Sequence, residues 1–168
     1  RTVNPIEENF DVAIGALPAS YANVIDEPLC RYRRIVCAAP SYLAARGAPQ
    51  HPRDLPEHDC LTYHATGATW SFESPRGAIN VDVRSSFSAS DTQVLHDIAC
   101  RGLGIAMIGS HVARTSLATG RLVALLPDYA IPDLWLKALV PKNKARNPNV
   151  RALIDWLKLA MHPVAPWD

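Results

Sequence analysis

Six histidines and four cysteines are the residues of this 168-residue chain best suited to acid–base or nucleophilic chemistry. The histidines stand at 51, 58, 64, 96, 111 and 162, and none falls in the H-E-x-x-H spacing that aims two imidazoles at one zinc ion. No G-x-S-x-G elbow presents a serine, and no Walker sequence is there to cradle phosphates. Cys30, Cys37, Cys60 and Cys100 form no C-x-x-C pair, which removes the commonest zinc and redox motifs. Cys37 and Cys60 lie in the apolar runs Ile35-Val36-Cys37-Ala38-Ala39 and Cys60-Leu61-Thr62-Tyr63, where a thiol behaves as a small buried hydrophobe. That reading goes with a reducing, cytosolic setting; the even count leaves a disulfide as the alternative. His64 and His111 sit at element boundaries where a general base could work, and Asp91 could serve as a carboxylate base. Solvated, capping or dipole-complementing roles account for all three more simply. Gly102-Leu103-Gly104 follows a helix and precedes a strand, the reverse of a dinucleotide fingerprint. No catalytic residue, metal ligand set or cofactor is therefore expected.

A different pattern remains. Three strand ends run into helix starts: Ala39-Pro40-Ser41, Ala89-Ser90-Asp91 and Gly109-Ser110-His111. In an open parallel sheet such junctions share the carboxyl edge, where ligand crevices form. Each helix start offers unpaired N–H groups and about half a positive charge, so several together could hold a small carboxylate without lysine or arginine. The plainer reading is that these serines only cap helices.

The elements that would position these junctions follow from pattern. Phe10–Ile14 is a β-leaning run stopped by Gly15, and Pro18-Ala19-Ser20 breaks any continuation. Arg33–Ala39 and Gly104–Ile108 are strands apolar enough for burial on both faces. Pro40-Ser41 opens a helix over 42–46, a proline-rich loop fills 48–59, and Cys60–Tyr63 is a strand. Trp70-Ser71-Phe72 and Ile79–Val83 alternate across Pro75-Arg76-Gly77 as a hairpin. Ser90 with Gln93 reads as a capping box for a helix ended by Gly102, and Ser110 as the cap of another ended by Gly120. Leu122–Leu126 and Leu134–Val140 are strands, and Asn147-Pro148 opens an amphipathic helix. Alternating strands and helices indicate an α/β class with a mostly parallel sheet. With 17 basic and 16 acidic residues, net charge +1, the composition argues against a chain whose main work is gripping nucleic-acid phosphates, which needs a basic face. No run of eighteen apolar residues spans a membrane.

The same residues carry a family likeness. Phe10-Asp11-Val12-Ala13-Ile14, Val36-Cys37-Ala38-Ala39-Pro40-Ser41-Tyr42-Leu43, Pro52-Arg53-Asp54-Leu55 and His58-Asp59-Cys60-Leu61 resemble the effector-binding domain of LysR-type transcriptional regulators. Ser90-Asp91, Gly102–Ala106, Gly120-Arg121-Leu122-Val123 with Leu126-Pro127, and Pro148 through Asp155-Trp156-Leu157 continue it in the family's order. The likeness implies a periplasmic-binding-protein-like (type 2) fold: two α/β lobes, two crossing strands, and a small effector held between the lobes. Residues 1–32 and 141–168 would form a partial first lobe, 40–133 the second, and 33–39 and 134–140 the crossing strands. The family's opening strand–helix–strand–helix and its DNA-binding helix-turn-helix are not matched, so the chain resembles a piece that starts inside the effector domain. Gly15 stands where the family often has arginine.

By this likeness the effector, a small molecule with a carboxylate as one candidate class, would meet Gly15, Ala16, Ser41, His64, Ala65, Thr66, Ser90, Ile108 and Gly109. Binding would favour a closed arrangement and re-angle DNA-binding heads in a homodimer or homotetramer. DNA would be reached only through an N-terminal domain outside this chain, and the helix 91–101 is a candidate subunit contact. The rival from another class is an extracytoplasmic solute-binding protein of the same fold. A hydrolase or transferase using His64 or His111 lacks a visible nucleophile or metal partner.

Overall fold

The computed structural model describes residues 3–17 and 21–161; the Pro18-Ala19-Ser20 break and His162 lie outside them. The chain divides into two units, Arg1–Tyr32 with Asp133–Asp168, and Arg33–Pro132.

In the first unit, β1 (Ala13–Gly15) and β2 (Val24–Tyr32) flank β10 (Leu134–Pro141) in an antiparallel sheet. The pairing of β2 with β10 slips one residue, with Leu136 opposite Cys30 but Lys137 opposite Pro28. Proline has no N–H for the ladder, and a bulge beside it absorbs the loss. Helix α4 (Pro148–Ala160) starts at Asn147, whose side chain accepts from the Asn149 N–H at 2.9 Å. Its Val150, Ile154 and Leu157 pack with Leu29, Ala138 and Val140.

Across that packing, Glu27 receives Arg151 at 2.6 Å and Lys158 at 2.5 Å. The Lys158 hydrogen bond, helped by the charges of both cations and opposed by burial, holds the Glu27 carboxyl below its usual range. A carboxylate with a depressed folded value stabilises above its unfolded value and loses that contribution as pH falls through the folded one. Both cations are substantially exposed, so Glu27→Gln should cost only about 1 kcal/mol at neutral pH. Urea unfolding should show the variant and parent converging in acid; a gap that persists there would point to packing instead.

The second unit carries a five-stranded sheet in the order β7-β4-β8-β3-β9, with β3 Arg34–Ala38, β4 Cys60–Tyr63, β7 Ser85–Ala89, β8 Ile105–Gly109 and β9 Val123–Ala124. β4 is parallel to β7 and β8, whereas β3 is antiparallel to β8 and β9. The sheet is thus mixed rather than mostly parallel. The apolar runs report two-sided burial, not direction. Val36, Ala38, Ile105 and Met107 face one cluster, while Cys37, Ala39, Ala106 and Ile108 face the other.

On the first face lie Tyr42 of α1 (Pro40–Arg46), Leu55 of a 3-10 turn (Pro52–Glu57), and the hairpin β5 (Thr69–Ser74)–β6 (Gly77–Asp82). On the second lie Leu95 and Ala99 of α2 (Thr92–Cys100) and Ala113 of α3 (Ser110–Ala118). Segment 122–126 shrinks to the two residues of β9, and segment 48–59 gains the 3-10 turn.

None of the three junction serines is a cap. Proline takes the first position of α1, so Ser41 falls inside the helix and Ala39 is the boundary residue. Ser110 is itself the first residue of α3 after Gly109. Before α2 the cap is Asp91, whose Oδ1 accepts from the Gln93 N–H at 2.8 Å, and the Gln93 amide donates to Asp97 at 3.1 Å instead of closing a box with Ser90.

Candidate functional site

Parallel alignment of β4, β7 and β8 brings their carboxyl ends to one edge of the second unit's sheet. The turn after β4 carries His64, Ala65 and Thr66, all exposed, and the His64 N–H donates to Ala89 O at 2.8 Å, tying it to the end of β7. The Thr66 N–H and hydroxyl both donate to Tyr63 O, at 3.1 and 3.3 Å. Exposed Ser90 follows β7 directly, and Ile108 and Gly109, both buried, end β8. Seven of the nine expected residues are therefore in this unit, and six of them share this edge.

Ser41 is the seventh, and it lies at the opposite edge. Because β3 runs antiparallel to β8, the end of β3 is level with the start of β8. Ser41 packs against Gly102 of the α2–β8 turn, where a side chain would strike its Oγ; the positive φ of +74° there independently favours glycine. Its neighbours form a structural knot. Tyr42 Oη accepts from the Asp59 N–H at 2.9 Å and lies 3.2 Å from His58 Nδ1, while Arg84 and Arg46 pair with Asp59. Burial, then the Arg46 charge, lowers the His58 pKa. Gly15 and Ala16 belong to the first unit, where Gly15 sits opposite Lys137 at the end of β1.

The antiparallel β3 also brings something that strand-end reasoning missed. Its start lies beside the end of β8, with Arg34 opposite Gly109 and the Ser110 N–H donating to Arg33 O at 3.0 Å. Two arginines thus join the edge. Arg33 is exposed, and Arg34 Nη2 donates to Pro132 O at 3.1 Å. Helices α2 and α3 both begin here, but Asp91 already places a carboxylate at the α2 start, while no side chain caps α3. Electrostatically the α3 side, with Arg33, Arg34 and His111, suits an anion better.

Among the described residues no group of three or more His, Cys, Asp or Glu is placed to hold a metal ion, and no helix is long and apolar enough to cross a membrane. None of the four cysteines is joined in a disulfide, and burial pushes the Cys37 and Cys60 thiols up to about 12.

The family model of the LysR substrate binding domain matches residues 1–161. The chain is 30% identical over 164 residues to the probable HTH-type transcriptional regulator LtrA of Klebsiella pneumoniae, covering 94% of this chain and 52% of that protein. It is 31% identical over 132 residues to the HTH-type transcriptional regulator PtxR of Pseudomonas aeruginosa, covering 77% of this chain and 42% of the relative. Among solved structures, the regulatory domain of CrgA, a LysR-type transcriptional regulator from Neisseria meningitidis, superposes with a TM-score of 0.77 at 27% identity, over 92% of this chain and 76% of that one. The chain spans about half the length of the curated relatives it matches. On fold and sequence alike, this α/β chain of periplasmic-binding-protein-like (type 2) architecture belongs to the LysR substrate-binding domain family.

Proposed function

We propose that the chain is the effector-sensing part of a cytoplasmic transcription regulator and does no catalysis of its own. The effector is a small carboxylate that docks at the carboxyl edge of the second unit's sheet. The protein acts as a homodimer or homotetramer and reaches DNA through a helix-turn-helix domain outside this chain. The observation that carries the ligand class is the meeting of Arg33, Arg34, His64, Thr66, Ser90 and the α3 start at one sheet edge. Backbone N–H groups at a helix start and guanidinium forks both suit a carboxylate. That the relatives above are named as transcription regulators favours this over solute transport.

A thermal-shift series with small aliphatic and aromatic acids, each beside its amide, tests the reading. A true effector raises Tm with concentration, by about 2.7 kcal/mol of stabilisation at a hundredfold excess over Kd, and the amide does not. Arg33→Ala and Ser90→Ala should weaken the response. Ser90→Ala should leave stability unchanged, whereas Asp91→Ala should cost about 1 kcal/mol, since Asp91 is the cap. Equal responses to acid and amide, or an unaltered affinity in Arg33→Ala, would remove the carboxylate site from this edge.

A further inference from the structure

Helix α1 is seven residues long, has no side-chain cap and buries a single side chain, Tyr42. A helix this short does not persist by propensity and depends on what its side chains touch. Tyr42 and Arg46, four apart and so on one helix face, both reach the segment that ends the 3-10 turn. Tyr42 Oη accepts from the Asp59 N–H at 2.9 Å and lies 3.2 Å from His58 Nδ1, and the Arg46 guanidinium donates to Glu57 O at 3.3 Å. The phenol is 4% exposed and the imidazole 8%.

The Asp59 N–H occupies one lone pair of Tyr42 Oη, so the hydroxyl proton is left to donate, and His58 Nδ1 is the acceptor within reach. That bond needs a neutral ring with its proton on Nε2. A second proton, on Nδ1, would turn the acceptor into a donor, strip the Tyr42 hydroxyl of its partner and set a full charge in a buried place. The surrounding charges do not offset this. Arg46 of α1 is already a cation, and Arg84 reaches in toward Asp59. Among the carboxylates of the histidine's own segment, Asp59 pairs with those two arginines and Asp54 accepts from the Gln50 and His51 N–H groups at 2.9 Å each, while Glu57 is exposed. Burial first, and then Arg46, therefore keeps the imidazole neutral.

We propose that His58 is an acid-operated latch for α1: neutral, it pins Tyr42 and the helix to segment 57–59; protonated, it lets them go. With α1 detached, His58 meets water and binds a proton near the free imidazole value of about 6.5, which the docked state resists. The latch is therefore fully closed above that value and loosens as pH falls through it. The release is a local opening, not global unfolding. Because Ser41 at the start of α1 packs against Gly102, the α2–β8 turn loosens with it.

The test is hydrogen–deuterium exchange of the intact chain at about pH 7.5 and about pH 5.5, corrected for intrinsic exchange rates. Peptides spanning 40–46 should lose up to about tenfold in protection at the lower pH, the most that one proton supplies per pH unit, while those of β8 keep theirs. His58→Gln retains a neutral acceptor for the Tyr42 hydroxyl and should make α1 insensitive to pH. His51→Asn, which replaces the other histidine of this turn with a good cap residue, should leave the response intact. Where His58→Gln fails to fold, Tyr42→Phe is read instead and should lose most of the response. Protection of α1 that is unchanged in acid, a loss that persists in folded His58→Gln or in Tyr42→Phe, or a His58 NMR signal that titrates at or above the free imidazole value overturns the proposal.

Discussion

Phe72→Ala should lower the unfolding free energy by about 3–5 kcal/mol, the range for emptying a fully enclosed aromatic site. Phe72 is wholly buried at the heart of the cluster that joins β5–β6 to the main sheet of the second unit. It shares that cluster with Trp70 and Val81 of the hairpin and with Val36, Tyr42, Leu55 and Ile105 beneath. An isolated two-stranded hairpin is marginal in water, so its place depends on the side chains it lays into this cluster. Backbone pairing compensates little: the Val83 N–H to Ala68 O bond at 2.9 Å only extends the hairpin's own ladder, and the Glu73 N–H to Ala130 O at 2.7 Å ties β5 to the segment before β10. Against a typical total of roughly 5–15 kcal/mol, the loss should be visible as a shifted urea midpoint. Phe72→Leu should retain most of the stability. A loss below about 1 kcal/mol in the alanine variant would mean the hairpin is held by something other than its apolar face.

Gly104→Ala should be nearly as damaging, for the opposite reason: too much matter rather than too little. A methyl group at Gly104 would stand 2.5 Å from the carbonyl oxygen of Asp59 and 3.1 Å from the Leu61 side chain. The obstacle is backbone, so no rotamer relieves it. That same oxygen accepts the Ile105 N–H at 2.8 Å, at the point where β4 and β8 begin to pair. Moving it away breaks the entry to the central parallel pair, and a cost of about 3 kcal/mol is expected. Gly120→Ala is the control: nothing lies within 4 Å of the added methyl, and only the positive φ of +70° is strained. Equal losses in the two variants, read from denaturant midpoints, would show that conformation and not crowding matters at Gly104.

What could be read from residues alone divides along a physical line. Signals that depend on local chemistry came through: the two-sided apolar strands β3 and β8, the alternating hairpin, and the Asn147-Pro148 start of α4. Strand β2 was missed because Val24-Ile25-Asp26-Glu27-Pro28-Leu29 pairs its charges, contains a proline and is bulged, which erases the period of two. Strand β7, Ser85-Ser86-Phe87-Ser88-Ala89, is an exposed edge with one large apolar residue and so has no pattern to show. At the site, strand ends were legible but strand directions were not. Nothing in Arg33–Ala39 says that it runs against β8, and that one reversal separates Ser41 from His64 and Ser90 and delivers Arg33 and Arg34 to them.

The pairing of Tyr32 with Leu134 has a consequence for how the molecule assembles. β2 and β10 are, in effect, a hairpin whose connecting loop is the whole segment Arg33–Pro132. Were that segment a floppy coil of roughly 100 residues, bringing its ends together would cost about 4 kcal/mol of chain entropy before a single rung of the ladder formed. Folding of the segment removes most of that penalty, since Arg34 clasps Pro132 and so holds its two ends side by side. The β2–β10 ladder therefore closes at least entropic cost when the segment that separates its two strands is already folded, with the Tyr32–Leu134 rung nearest to that segment.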